Sequence, residues 1–316
     1  RKAAVKLKYV IRPRLTETPL NMKKIRSSRK SLVAVAVLLI GGLGLLPAGS
    51  SPLIPRRLVF EPSERGNPVL SPDGKRIAYS AALNGIENLW LKTVGRDDDR
   101  AITQEKENGI PYGFWQADGK HLLFFKDAAG DENSHLFQVN VLTGTLKDLT
   151  PVPGAQAKSP IMSPAFPDTI LIHLNARDKR LFDVHRLDLR TGALTLDTEN
   201  PGDVALFYAD HQMRVRAAYA TKPDGSTEVR VRDGVHAPWR PILNWGGGEM
   251  SSDATGIVGF TADDSSLLVV TSLEANAERL LQVDAATGSY KIIGQDPLFD
   301  VAAVMIHPRR GTLEAI

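Results

Sequence analysis

The amino-acid sequence predicts an all-β fold, a β-propeller of four-stranded blades. Three observations carry that expectation. One hairpin, "NPVLSPDGKRIAYSA" from Asn67 to Ala81, recurs along the chain. A second strand–turn–strand segment follows each copy, giving a unit of about 42–54 residues, the spacing of propeller blades. No stretch of helical periodicity interrupts the series.

The copies run in order. "YGFWQADGKHLLFFKDA" repeats the hairpin with Asp118-Gly119-Lys120 at its turn, 45 residues after Asp73-Gly74-Lys75. "MSPAFPDTILIHLNA" is the third, with Pro167-Asp168 at the turn. "LFYADHQMRVRAAYA" is a degenerate fourth and "VGFTADDSSLLVVTS" the fifth, so turn aspartates fall at 73, 118, 168, 210 and 263. The second halves are "NLWLKTVG", "HLFQVNVLTGTLKDLT", "FDVHRLDLRTGALTLDT", "EVRVRDGVHAPWRPIL" and "RLLQVDAATGSYKIIG". Thr143-Gly144, Thr191-Gly192 and Thr287-Gly288 mark three of their turns at intervals of 48 and 96.

Within these halves apolar and polar residues alternate, as in Val229 and Val231 against Arg230 and Arg232. The second strand of each unit is more uniformly apolar ("HLLFF", "TILIHL", "SLLVV"). Such a strand suits burial on both faces between neighbouring sheets. A single four-stranded unit cannot cover its own two faces, so the units must stack. A long sandwich explains the alternation but not the period. The expected blades are 66–107, 108–159, 160–202, 203–245 and 246–297, with a sixth starting at "LFDVAAVMIHPRRGTLEAI". Five blades and the start of a sixth imply a ring cut short from seven or eight, and hence a piece of a longer protein.

The 316 residues carry a net charge of +3, but residues 1–30 hold eleven Lys or Arg against Glu17 alone. That leader carries +10, so residues 31–316 carry −7. That balance argues against a basic nucleic-acid-binding surface on the body. There is no cysteine, which removes disulfides and thiolate chemistry. From Met22, five basic residues precede the uncharged run Leu32–Leu46 and the small residues Ala48, Gly49 and Ser50. This is the layout of a secretory signal peptide over 22–51, cleaved near Ser50. The expected product is periplasmic or extracellular and free of the membrane. An uncleaved anchor is the alternative, although fifteen apolar residues are short for a span. Residues 1–21 precede that leader and read as non-native or upstream sequence. The propeller domain is expected over 52–316.

The stretches "SPDGKRIAYSAALNGIENLWL", "FWQADGKHLLFFKDAAGDENSHLFQVNVLTGTLKDLTP" and "VMIHPRRGTLEAI" resemble the propeller repeats of the prolyl oligopeptidase (S9) serine peptidases. The resemblance covers about 52–316 and is nearest to the acylaminoacyl-peptidase and dipeptidyl-aminopeptidase-like branch. It implies a propeller that narrows access to a C-terminal α/β-hydrolase partner domain acting on short peptides. Such a hydrolase carries its serine in a Gly-x-Ser-x-Gly elbow, and no such motif occurs in these residues. No Glu-Glu pair of the kind the dipeptidyl peptidase IV branch uses is present either. The resemblance therefore assigns no catalytic residue, no substrate-binding residue, no metal ligand and no cofactor to this chain. The hairpins also resemble TolB-like propellers, which leaves a non-enzymatic, protein-binding scaffold as the alternative.

Other residues invite a role. Gly246-Gly247-Gly248 has no preceding His and reads as a connector. Histidines 121, 135, 173, 185, 211, 236 and 307 form no local metal-binding pairing. "DAAGDENSH" (127–135) lacks calcium-loop spacing and reads as a solvated hairpin loop, as does "GRDDDR" (95–100). Trp90 and Trp115 sit at repeat positions that predict packing between blades, while Trp239 and Trp245 lie near turns and stay open.

Overall fold

The computed structural model describes residues 64–127, 130–246, 256–307 and 310–316. The chain divides into two units, Arg1–Glu61 and Pro62–Ile316. The expected signal peptide, the segment before it, and Gly247 and Gly248 lie outside the described residues.

Among the described residues all regular structure is strand. The first sheet comprises β1 (Gly66–Leu70), β2 (Arg76–Leu83), β3 (Ile86–Thr93) and β4 (Arg100–Ala101). The second holds β5 (Phe114–Trp115), β6 (His121–Lys126), β7 (His135–Asn140) and β8 (Leu146–Asp148). Next come β9 (Ala157–Met162), β10 (Thr169–Asp178), β11 (Leu181–Asp188) and β12 (Leu194–Thr198). The fourth sheet is β13 (Val204–Ala209), β14 (Val215–Thr221), β15 (Thr227–Val231) and β16 (Arg240–Trp245). The fifth is β17 (Gly256–Phe260), β18 (Ser266–Thr271), β19 (Arg279–Asp284) and β20 (Tyr290–Gly294). β21 (Met305–Ile306) and β22 (Leu313–Ala315) make a two-stranded sheet. Each strand pairs antiparallel with the next in sequence, giving five four-stranded meanders among the described residues. The third sheet begins at Ala157, so the expected blade boundary at 160 moves upstream, because pairing with β10 reaches back to Ala157.

The turns form as their residues require. Asp118 accepts the backbone N–H of Lys120 at 2.8 Å, and Asp210 accepts those of Gln212 and Arg214, both at 3.0 Å. Gly74 and Gly119 take φ of 71° and 63°, where a Cβ is strained. In the second halves Asn140, Asp188 and Asp284 each accept two N–H groups of the following turn. Asp168 is the exception. Its turn closes through the carbonyls of Ser163 and Phe166.

Period-two alternation then builds a core in every seam. On β6, Leu122 and Phe124 face the first sheet, while Leu123 faces the third. On β10, Ile170, Ile172 and Leu174 face the second sheet and Leu171 the fourth. On β18, Leu267 and Val269 face the fourth and Leu268 and Val270 the last. Each such side chain, fully buried, contributes about 1.5–3 kcal/mol. This is the two-faced burial expected of the uniformly apolar strands.

The antiparallel order gives each sheet two distinct ends. At the turn end lie the tight turns within the hairpins. At the connector end lie the middle turns and the segments leading to the next sheet. Five arginines at the turn end donate to turn carbonyls of the following sheet. Arg76 bonds Gly119, Arg100 Val141, Arg186 Met213, Arg216 Asp264 and Arg240 Ala285. Arg76 also lies over the Trp115 ring and Arg216 over Phe260.

Candidate functional site

A recess opens at the connector end of the second sheet. On its first-sheet side β4 pairs Arg100 and Ala101 with β3, and the Ile102 N–H extends the contact to the Leu89 carbonyl at 2.8 Å. Beyond that point the chain leaves the sheet as a connector. Buried Asn88 pins the connector, accepting from the Glu105 N–H at 2.7 Å and from the Thr103 hydroxyl at 2.8 Å. A cleft of about 680 Å³ lies between Gln104–Asn108 and the hairpin residues Lys126, Asp127, Asp131 and Asn133.

Phe137 lines the cleft and stacks on Phe124 and His135, with ring centres 5.8 and 6.5 Å apart. Lys126 pairs with Glu105 at 2.7 Å, and Asn108 donates to Asp127 at 2.9 Å. His135 Nδ1 lies 2.7 Å from Asp148 Oδ2, and Asp148 is itself oriented by the Thr150 N–H at 2.9 Å. Because a carboxylate only accepts, this contact places a ring proton of His135 on Nδ1. This is a polar recess suited to recognition. The "DAAGDENSH" segment contributes Asp127, Asp131, Asn133 and His135 to its wall, while Gly130, Asp131 and Glu132 at its tip are exposed to solvent. The cleft lies between segments of two different repeats, and no local motif signals it.

The remaining candidates resolve individually. His173 is fully buried and neutral, held at a pKa of about 4 by desolvation. His121 pairs with Asp118 of its own turn, and His211 reaches Asp264 of the next sheet, each at 2.6 Å. His185 sits half-buried on β11, where burial lowers its pKa, and His236 is exposed. Among the described residues no group of three His, Asp or Glu is placed to hold a metal ion. "GRDDDR" is also more than solvent-facing. Asp99 hydrogen-bonds Tyr79 and pairs with Lys92 at 3.1 Å, and burial with that contact pushes the Tyr79 hydroxyl up to about 12.

Trp115 packs between sheets as expected and donates to the Val69 carbonyl at 3.2 Å. Leu89 and Leu91 take the face toward the second sheet, so Trp90 lies on the opposite face of the first sheet and donates to the Ala81 carbonyl at 3.1 Å. Trp239 packs at a tilt against Phe207 with Arg232 over it at 4.6 Å, and Trp245 is buried against Tyr219. Both are packing residues.

No family model matches the chain. It is 33% identical over 265 residues to dipeptidyl aminopeptidase BIII of Pseudoxanthomonas mexicana, covering 84% of this chain and 38% of that protein. It is 29% identical over 180 residues to dipeptidyl peptidase family member 6 of Caenorhabditis elegans, covering 55% of this chain and 24% of that one. A solved prolyl endopeptidase superposes with a TM-score of 0.57 at 14% identity, over 77% of this chain and 38% of that structure.

Fold and sequence together define the class, a β-propeller of the prolyl oligopeptidase (S9) family. The chain spans 38% of the dipeptidyl aminopeptidase and 24% of the dipeptidyl peptidase family member that it matches.

Proposed function

We propose that this chain is the gating propeller of an exported S9 serine peptidase of the dipeptidyl-aminopeptidase-like branch, acting on short peptides. The observation that carries this reading is the 33% identity across 84% of the chain to a dipeptidyl aminopeptidase. The basic, then apolar, leader from Met22 supports export. In this reading the serine, aspartate and histidine lie in a hydrolase domain outside these 316 residues, since Gly-x-Ser-x-Gly is absent from them. The propeller's part is selection. Its packed seams form a rigid wall that admits extended peptides and turns away folded proteins.

The test is a pair of assays on the whole natural gene product carrying this sequence. Dipeptide release from a free-amino-terminal peptide amide should be observed. The same peptide presented within a folded domain should resist. Absence of dipeptide release, with the protein folded by circular dichroism, would refute the proposal.

A further inference from the structure

Lys158 is the second residue of β9, the edge strand of the third sheet. It stands at the connector end, directly after the segment that supplies Pro153 and Gly154 to the cleft. Its ammonium lies 3.6 Å from the centre of the Phe182 ring. Among the described residues it has no hydrogen bond and no ion pair. Lys92, Lys126 and Lys222, by contrast, each reach a carboxylate. Lys158 is also half-buried, and burial alone holds its pKa below the usual lysine value.

The backbone holds this lysine in place. β9 carries a bulge, with Ile161 opposite Leu171 but Lys158 opposite His173. Ser159 takes a φ of 48° at the bulge, before Pro160. The buried His173 locks the distortion by donating from Nδ1 to the Ser159 carbonyl at 2.9 Å. β1 has the same device, with Asn67 at φ 49° before Pro68 and a register shift between Gly66 and Val69. The bulge is therefore architectural, and the lysine is the third sheet's own addition. A half-desolvated ammonium on a fixed stretch of backbone, set over an aromatic ring and without an anion, is a site whose electrostatic partner is missing. β9 pairs with β10 alone, so its other edge is not engaged in a ladder.

We propose that Lys158 is an anion-binding group for the carboxylate of a short peptide entering at the connector end of the propeller. A single ammonium backed by one aromatic ring matches a monovalent carboxylate. A phosphate would call for several converging donors. That the ligand is a peptide rests on the proposed function; the anion site itself does not.

The 316-residue chain would be titrated by NMR with acetyl-Ala-Ala as the free acid and as its amide. The free acid is expected to bind at least tenfold more tightly than the amide. Lys158→Gln should abolish that difference, and Lys158→Arg should keep part of it. The Lys158 charge lowers the pKa of the neighbouring His173, so an anion placed on Lys158 should move the His173 ring titration to higher pH. Equal binding of acid and amide, binding of neither, or discrimination that survives in Lys158→Gln would overturn the proposal. Carboxylate binding that persists when the whole gene product releases no dipeptides would refute the peptidase reading and leave this site standing.

Discussion

His173 makes the fold sensitive to acid in a way that can be measured. Its ring is wholly buried between the third and fourth sheets. Nδ1–H donates to the Ser159 carbonyl at 2.9 Å, Nε2 accepts the Phe207 N–H at 3.1 Å, and the ring stacks on Phe207. This arrangement requires the neutral ring, and desolvation holds the pKa at about 4 against an ordinary 6.5. The folded pKa lies below the unfolded one, so the unfolded chain binds the proton more tightly. The contribution is complete above pH 6.5 and is lost as pH falls toward 4. At about 1.4 kcal/mol per pH unit that interval amounts to about 3 kcal/mol. Urea unfolding of the wild type and His173→Gln, followed from pH 7.5 to 4, isolates the effect, because titration of the carboxylates is common to both proteins. At pH 7.5 the variant should be less stable by about 1–3 kcal/mol, from polar groups left unpaired. By pH 4 the gap should have closed by about 3 kcal/mol or reversed. Stability curves that run parallel across this range would refute the reasoning.

Two further perturbations probe the seams. Arg216→Gln removes the stack on Phe260 and the 3.3 Å bond to the Asp264 carbonyl, and should lower unfolding free energy by about 1–2 kcal/mol. Arg76→Gln should act alike through Trp115 and Gly119, and a double variant should show near-additive loss in chemical denaturation, since the two lie in separate seams. Gly311 has φ 63°, and a Cβ there would stand 2.5 Å from His211 Nε2, so Gly311→Ala should reduce thermal stability. Adding His211→Ala should restore part of the loss and leave the backbone strain of about 1 kcal/mol.

The turns and the two-faced strands were readable because their causes are local. An aspartate two residues before a backbone N–H, or a glycine at positive φ, shapes a turn wherever it occurs. Even the degenerate fourth copy forms its turn, with Met213 taking the left-handed conformation at φ 56° in place of a glycine. What escaped depends on neighbours a whole repeat away. Arg76 meets Gly119 at a separation of 43 residues and Arg216 meets Asp264 at 48, distances that no window of a few residues can pair. A repeat position does not say which face Trp90 serves. The parity of Leu89 and Leu91 does say so once the direction of the next sheet is known. The cleft escaped because its walls come from two different repeats, and Lys158 because an isolated lysine is part of no motif.

The central claim is that this propeller serves an S9 peptidase whose nucleophile lies outside these residues. Its most direct test is fluorophosphonate labelling with mass-spectrometric mapping, run on the 316-residue chain and on the whole natural gene product. The account predicts no labelled serine among these residues and one labelled serine, in a Gly-x-Ser-x-Gly sequence, elsewhere in the whole product. Specific labelling of a serine within the propeller, or no labelling of the folded whole product, would contradict it.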